Sequence, residues 1–475
     1  MKHTEFIEKV AKLFREGGKK ISPKDPSPTS NMMCGKNRKS LTAFLGMSTQ
    51  KNVLSINIKE RFIHVEPGIT MEELVDATLP YGLIPPVVPE FKGISVGGAI
   101  NGAALESSSH GFGQFNDTCL SYEVMTGTGQ IIQASPTQNS DLFYALSGSY
   151  GTLGLILSVK IRLIPTAPWV KLNYNTFSKL ADALAHLTSL SRSQNPPSYM
   201  EAILFTKAKI TSISGSAISS DEAGNYPQHR ISSYSDDWFY SHADRLPSFP
   251  FTEAIPLKDY LFRHDRGAFW MGGYSLQPAM TFRYLAHKCL NFFSLSQKKV
   301  WLEPKFCTPK NPNRLFRFLF GGLMKSRTLY KSLHNGSEGW FKKNFAIQDF
   351  YLPEETVLPF IEYLLNQYKI TPLWVCPIRS TSTGQIFSPH HNFKSSLLFD
   401  VGIYGIPFNA KGDAAVRLME QTAHQLNGRK MLYSANFIPK EEFWTIYSEK
   451  DYQDLRNKYG ASGKFPDITE KVLRL

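Results

Sequence analysis

Cysteine is scarce in this chain of 475 residues: Cys34, Cys119, Cys289, Cys307 and Cys376 are odd in number, scattered, and include no Cys-x-x-Cys pair. That spacing argues against a disulfide framework and for reduced thiols. No stretch approaches the roughly 18 uninterrupted apolar residues of a membrane-spanning helix, and the charged, amphipathic first twenty residues lack a signal-peptide core. The expectation is a cytoplasmic protein. Short repeats, low-complexity tracts and a His-Glu-x-x-His motif are missing, and the pair His390-His391 has no accompanying ligand spacing, so no metal is expected. What the chain does have is 42% apolar and 13% aromatic content, enough for substantial cores in about two or three domains.

Acidic residues are nearly absent from one window. Between Thr281 and Lys343 there are 13 Lys and Arg against only Glu303 and Glu338, so this stretch carries most of the net charge of +13. Leu290-Asn-Phe-Phe-Ser-Leu and Leu315-Phe-Arg-Phe-Leu-Phe interleave apolar side chains with those cations. Two readings stay open: a solvated face over a buried helix, or a segment pressed onto an anionic membrane surface, for which Lys298, Lys299, Arg314 and Arg317 are the candidate contacts. No nucleic-acid module accompanies the patch, so nucleic acid is not an expected partner.

Small residues cluster in three places. They are Ser95-Val-Gly-Gly-Ala-Ile-Asn-Gly102, Glu106-Ser-Ser-Ser-His-Gly-Phe-Gly113 and Gly148-Ser-Tyr-Gly-Thr-Leu-Gly154. Glycine lets backbone N–H groups approach a pyrophosphate, and consecutive N–H groups make an anion-binding nest, so the arrangement points to a dinucleotide, FAD. The candidate contacts are Ser95, Val96, Gly97, Gly98, Asn101, Gly102, Glu106, Ser107, Ser108, His110, Gly111, Gly113, Gly148, Gly151, Thr152 and Gly154. His110 has an alternative role, fixing its own loop through a backbone hydrogen bond. The third cluster follows a helix pattern instead of opening one, which excludes a nicotinamide-binding Rossmann turn.

Local patterns surround these clusters. Val65-Glu-Pro-Gly68 ends a strand, and Thr70-Met-Glu-Glu73 has capping-box spacing ahead of a helix that stops at Gly82. Tyr122–Thr126 and Gln130–Ala134 predict a hairpin around Gly127-Thr-Gly129, Asn139 should cap a short helix, and Leu155–Ile164 alternates as a strand. At the front, Ile7, Val10, Ala11 and Phe14 mark one helix face. Ser219–Asp237 looks like a long surface loop, Val357–Tyr368 and Ala414–Leu426 like helices, and Thr371–Ile378 and Leu397–Ile403 like strands.

In order and spacing, His64 to Pro165 resembles the FAD-binding domain of the vanillyl-alcohol-oxidase or p-cresol-methylhydroxylase type of flavoenzyme. Within that superfamily the resemblance is to the delta-24-sterol reductases, the 24-dehydrocholesterol reductase and Diminuto group. It is carried by Val65-Glu-Pro, Val88-Pro-Glu90, Val96-Gly-Gly98, Glu106-Ser-Ser-Ser-His110, Asn139-Ser-Asp-Leu-Phe-Tyr-Ala145 and Gly151-Thr-Leu-Gly154. It continues through Tyr260-Leu-Phe-Arg-His264, Phe269-Trp270, Gln348-Asp349, Leu373-Trp-Val-Cys-Pro377, Asp400-Val-Gly-Ile-Tyr-Gly405, Met431-Leu-Tyr433 and Glu442-Phe-Trp444. Residues 278 to 309 look like extra sequence, and the amino-terminal membrane helix of the animal enzymes has no counterpart.

The resemblance implies an α+β fold. A two-subdomain FAD-binding domain at 1–165 would precede an α+β substrate (cap) domain at 166–445, with a basic-aromatic insertion near 278–343 and a closing segment at 446–475 that returns to the FAD domain. It also implies reduction of a carbon–carbon double bond in a sterol or other isoprenoid lipid, with NADPH as electron donor. The loop Lys19–Asn31 would help to hold the pyrophosphate, with Ser27, Thr29 and Ser30 as hydroxyl donors. Lacking a central histidine or cysteine, it suggests noncovalent FAD. An isolated alkene is a poor hydride acceptor, so an acid should protonate one carbon first, and His264, Glu201 and Tyr404, with Asp349 behind them, are the candidates. Aromatic faces at Trp270, Trp374, Tyr404 and Tyr433 could stabilise the developing cation. Two other functions remain: an FAD-linked oxidase or dehydrogenase of a hydroxy acid, sugar or alcohol, and a non-catalytic flavin-binding, membrane-adhering protein.

Overall fold

The computed structural model describes residues 3–16, 20–22, 42–45, 47–246, 249–276, 308–336, 344–382, 384, 386–408 and 410–473. Ser27, Thr29, Ser30, Lys298 and Lys299 lie outside the described residues, as do Cys34, Cys289 and Cys307. The chain forms two compact units of helices and largely antiparallel sheet. One comprises Met1–Thr166, Ile378–Ser396 and Met431–Leu475, the other Ala167–Pro377 and Leu397–Lys430. This differs from the sequence expectation in two places. The return begins at Met431 instead of 446, and a short excursion at Ile378–Ser396 precedes it, because the strands on either side of that excursion, Leu373–Arg379 and Leu397–Gly405, are neighbours in one sheet.

The first unit is built on a five-stranded antiparallel sheet in the order Val53–Asn57, Phe62–Val65, Leu155–Arg162, Cys119–Met125, Ile131–Ala134. The helix His3–Glu16 lays Phe6, Val10 and Phe14 in a core with Met125, Leu155, Leu157 and Phe465, as its apolar periodicity requires. Thr70 caps the helix Met71–Thr78 in a complete capping box with Glu73, and Gly82 closes the following turn in the left-handed region at φ 65°. The expected hairpin forms around Gly127-Thr-Gly129. A side chain at Gly127 would sit 1.8 Å from the Gly460 carbonyl, so glycine is what lets the carboxyl-terminal tail cross there.

Two local expectations are corrected. Asn139 precedes the helix Ser140–Ala145 but does not cap it with its side chain: its backbone is left-handed at φ 48°, and its amide donates instead to the Gln133 carbonyl at 2.7 Å. Within Ser219–Asp237, Ser219 caps a short helix, Ser220–Ala223, so that stretch is not uniformly a loop.

The second unit holds an eight-stranded sheet in the order Phe251–Pro256, Trp169–Phe177, Lys209–Ile218, Tyr199–Thr206, Leu373–Arg379, Leu397–Gly405, Ala346–Pro353, Arg429–Lys430. The helices Leu180–Ser191, Glu354–Gln367 and Gly412–Gln425 pack side by side against it. Four consecutive central strands therefore carry Glu201, Trp374, Tyr404 and Asp349.

Candidate functional site

In the first unit the three glycine clusters are drawn into one knot. Ser95 caps the helix Val96–Asn101 by accepting from the Gly98 amide at 3.2 Å. Asn101 then joins two clusters: its amide donates to the Gly97 carbonyl at 2.8 Å, and its side-chain oxygen accepts from the Gly151 amide at 2.7 Å. Gly148 (φ 68°) brings its Cα within reach of the Phe387 backbone, where a side chain would lie 2.5 Å from the carbonyl oxygen. Segment 378–396 and the glycine turn thus close on each other.

The middle cluster is buried and internally bonded. Glu106, 3% exposed, accepts from both the amide and the hydroxyl of Ser107, while its own amide donates to Ser109 Oγ at 3.0 Å. His110 Nδ1 donates to the Ser107 carbonyl at 3.0 Å, so one of its ring nitrogens fixes the loop. Gly113 sits against the Asp117 carboxylate. Asp117 in turn accepts from the Gln114 amide at 2.8 Å and meets His390 Nε2 at 2.7 Å. His390 Nδ1 meets Ser388 Oγ at 2.7 Å, and that hydroxyl also donates to Gln114. The chain Ser388–His390–Asp117 is wholly inward, with Ser388 and His390 fully buried, so it braces the loop and is no exposed nucleophile.

Arg456, 4% exposed, anchors the third cluster from the tail. It donates to the carbonyls of Thr152, Pro466, Ala461 and Phe465 and to the Tyr452 hydroxyl. Lys471 reaches the Tyr150 carbonyl.

The fit to a dinucleotide is mixed in detail. Several expected donors are spent within the protein: the Val96, Gly97 and Gly98 amides bond to Ile69, Pro67 and Ser95, and Gly102 bonds to Gly98. Gly154 packs against Val124 and is buried, as are Gly148 and Gly151. Other features suit a ligand. Gly98 and Gly111 are exposed, with open space where a Gly111 side chain would be, although their amides donate to Ser95 and Ser108. Beside Gly148, the buried Ser147 hydroxyl has no partner among the described residues. Such an orphaned hydroxyl is costly to leave unbonded.

The second unit gathers the other candidates into one buried cluster. Fully buried Glu201 accepts from Arg263 Nε at 2.7 Å and Trp374 Nε1 at 2.6 Å, and meets His264 Nε2 at 3.1 Å. Phe269 stacks on both His264 (centroids 4.1 Å apart) and Tyr404 (4.6 Å). Trp270 donates to the Tyr404 carbonyl at 2.7 Å, and the Tyr404 hydroxyl donates to Asp349 at 2.8 Å. Phe269 takes this place on a left-handed backbone (φ 61°) that follows Gly267 and Ala268 in the same region, a conformation that costs free energy for a bulky residue. Tyr433 belongs to the first unit and is half-buried.

Charge states follow from burial. Burial by itself would raise the Glu201 pKa, but the adjacent Arg263 and His264 outweigh it and hold the carboxyl well below the usual carboxylate range. His264 is pulled down to about 4, first by burial and then by Arg263, against the opposing pull of Glu201. At neutral pH the pair is therefore carboxylate and neutral imidazole. Glu201 has no proton to give, which removes it as the acid and makes it the group that orients Arg263, His264 and Trp374.

Stability should respond to acid accordingly. Both groups have depressed native pKa values, so below about pH 6.5 the unfolded chain binds protons that the native chain refuses, and stability falls with pH. Burial also lowers His186 and His229, which adds to the trend. The expected melting temperature is flat above that pH and declines continuously toward pH 4.5. A calorimetric profile unchanged between pH 7 and 5 would contradict this assignment.

Among the described residues one further group offers metal-ligand atoms, His229, His242 and Glu253, all within 4.8 Å of one another. The two imidazoles are stacked 3.9 Å apart and nearly parallel, and His242 Nε2 is already 2.9 Å from Glu253. An ion cannot lie in the plane of both rings in that arrangement, so the trio reads as a hydrogen-bonded cluster that also includes the Tyr174 hydroxyl.

Residues 3–135 match the family model of the FAD binding domain. The chain is 28% identical to the Delta(24)-sterol reductase of Homo sapiens over 479 aligned residues, covering 98% of this chain and 85% of that one. It is also 28% identical to the Delta(24)-sterol reductase of Pisum sativum, covering 90% of this chain and 75% of that one. Decaprenylphosphoryl-beta-D-ribose oxidase of Mycolicibacterium smegmatis is 33% identical over 123 residues, which is 26% of this chain and 27% of that one.

Proposed function

From the premise that this chain is an FAD-dependent oxidoreductase similar along nearly its whole length to Delta(24)-sterol reductases, we propose that it reduces a carbon–carbon double bond in a sterol or other isoprenoid lipid. The observation that carries this reading is the convergence of Tyr404, His264, Trp270 and Trp374 around Phe269 in the second unit, all in segments that the sterol-reductase resemblance covers. The oxidase similarity, by contrast, spans 123 residues only, 26% of this chain. We assign the fold as the two-subdomain FAD-binding form with an α+β cap, the cofactor as noncovalent FAD, and the electron donor as NADPH.

FAD would be held in the knot formed by helix Val96–Asn101, loop 104–118 and turn 148–152, with the unpartnered Ser147 hydroxyl and the exposed Gly98 and Gly111 as the contacts. Bound FAD supplies two electrons drawn from NADPH, delivered to carbon as hydride. The protein supplies the proton. Glu201 is ionised, and His264 at about 4 carries no second proton at neutral pH. Tyr404 is thus the proposed donor: its Oη proton would pass to the less substituted alkene carbon, leaving tertiary cation character at the other carbon, where a flavin-derived hydride would be needed. Asp349, bonded to the same hydroxyl, orients it and guides its reprotonation from solvent. The faces of Trp270 and Trp374 would stabilise the cation by about 0.5 to 2 kcal/mol each.

Tyr404→Phe should lower the rate constant for product formation by about 10²- to 10⁴-fold, the usual contribution of a positioned acid, with little change in NADPH-driven flavin reduction. Turnover in heavy water should place one solvent deuteron on the carbon opposite the hydride-receiving one. If that carbon carries no label, protonation by an exchangeable acid is wrong.

A further inference from the structure

We infer that the segment Asn313–Leu323, on the second unit, is a bilayer-docking surface that inserts apolar side chains into an anionic membrane face. The inference rests on the lipid-substrate reading above. The helix Arg314–Phe320 is inside out. Its one buried residue is Arg317, 7% exposed, which donates to the carbonyls of Ser235 (2.9 Å) and Pro312 (2.6 Å) and pairs with Asp237 at 2.5 Å. Leu315, Phe318, Leu319 and Phe320, with Leu323 just beyond, are instead 44% to 66% exposed. A helix that turns its cation inward and its leucines and phenylalanines outward has spent its polar side on its own protein and left an apolar contiguous patch for something else.

The mount is firm. Asn313 caps the helix by accepting from the Phe316 amide at 2.8 Å. Behind it, the Tyr234 backbone packs so tightly on Gly321 that a side chain there would lie 2.2 Å from the Tyr234 carbonyl. Tyr234, itself 50% exposed, lies with its ring tilted 43° to that of Phe318 at 6.1 Å and extends the patch.

Charge selects the occupant. From Thr308 to Lys331 there is no acidic residue, while Lys310, Arg314, Lys325, Arg327 and Lys331 are exposed and make no salt bridge among the described residues. A second copy would set like charge against like charge across a two-fold contact, which is repulsive. A nucleic-acid backbone would satisfy the cations but leave the apolar patch wet. A bilayer with anionic headgroups satisfies both at once, apolar side chains below the headgroups and cations among the phosphates. Arg317 is not among those cations, because it is consumed inside the protein.

The test uses the purified holoprotein and sedimentation with phosphatidylcholine vesicles, with and without phosphatidylserine. Pelleting is expected with the anionic vesicles and weak with the neutral ones. Phe318→Ser with Leu319→Ser should lower vesicle partitioning by about tenfold or more, and Lys325→Glu with Arg327→Glu should remove the preference for phosphatidylserine. Melting temperature and flavin absorbance of both variants should match the parent, since all four positions are exposed. Three outcomes overturn the proposal: no pelleting of the parent, equal pelleting of the serine variant, or a dimer in solution that the serine variant dissociates. Turnover of a detergent-dispersed sterol separates the two readings. Vesicle binding without turnover sinks the substrate assignment and leaves docking standing, whereas detergent turnover without vesicle binding does the reverse.

Discussion

Glu201→Ala is expected to cost about 3 to 5 kcal/mol of stability, the range for breaking a buried ion pair by deleting one partner, and to stop turnover. The reason is what the deletion leaves behind. The Arg263 side chain is 0% exposed, so without the carboxylate it becomes a buried cation with no anion at Glu201, its other contacts including the Tyr260 carbonyl at 3.1 Å, the Tyr260 ring at 4.2 Å and the Phe239 ring at 5.6 Å. Trp374 Nε1 and His264 Nε2 lose their acceptor at the same moment. His264 also supports Phe269, whose other face carries Tyr404, so the disturbance reaches the proposed proton donor through two ring contacts. Glu201→Gln keeps an acceptor oxygen but no charge and should fall between parent and alanine. Removing both charges, as Glu201→Met with Arg263→Met, should cost less than the sum of the single changes, because no uncompensated ion remains. Denaturant titration of the parent, Glu201→Met, Arg263→Met and the double variant gives the coupling. A loss below about 1 kcal/mol for the alanine variant would be the size of an exposed pair and would refute the buried-ion assignment.

The second large effect is expected in the first unit. Arg456→Ala removes one guanidinium that serves four carbonyls and a hydroxyl, three of them on the segment 461–466 and one, Thr152, on the glycine turn. Hydrogen bonds to a charged group are worth about 1.5 to 3 kcal/mol, and unserved buried carbonyls add to the loss, so a fall of about 2 to 4 kcal/mol is expected. Loss of flavin should accompany it. With Thr152 released, the turn that presents Ser147 and Gly148 keeps only lighter ties, such as Asn101 to Gly151 and Lys471 to the Tyr150 carbonyl. The dissociation constant for FAD, measured by titrating the deflavinated protein, should rise about tenfold or more for each 1.4 kcal/mol of disorder placed on the bound state. Arg456→Lys keeps the charge but not the fork, and should retain flavin poorly as well. If stability drops while FAD affinity is untouched, the tail does not support the cofactor site.

These two side chains also mark where reading from sequence stopped. Features fixed by neighbours three or four residues apart were legible: the Thr70 capping box, the first helix with Phe14 on its buried face, the hairpin at Gly127-Thr-Gly129. So was the membership of the second-unit cluster, since Glu201, His264, Trp374 and Tyr404 lie in segments that resemble one family. Their roles were not. Whether Glu201 carries a proton depends on Arg263 and His264, more than sixty residues away, and on complete burial, neither of which leaves a local pattern. His390 was read only as half of a histidine pair without ligand spacing, because its partner Asp117 is 273 residues distant. Arg456 carries no local signal within the closing segment, because its acceptors are mostly backbone carbonyls, which every residue has. Phe269 was visible as an aromatic, but its left-handed backbone was not, because nothing at a phenylalanine position announces φ 61°.

The account turns on a lipid double bond as the acceptor of the flavin's electrons. The most direct measurement reduces the holoprotein with NADPH under argon, adds desmosterol, and follows the flavin absorbance while the lipid is extracted and weighed by mass spectrometry. The account predicts reoxidation in step with a sterol two mass units heavier, one per flavin. Flavin that stays reduced with desmosterol present, or that lactate or an alcohol reduces where NADPH does not, would contradict it.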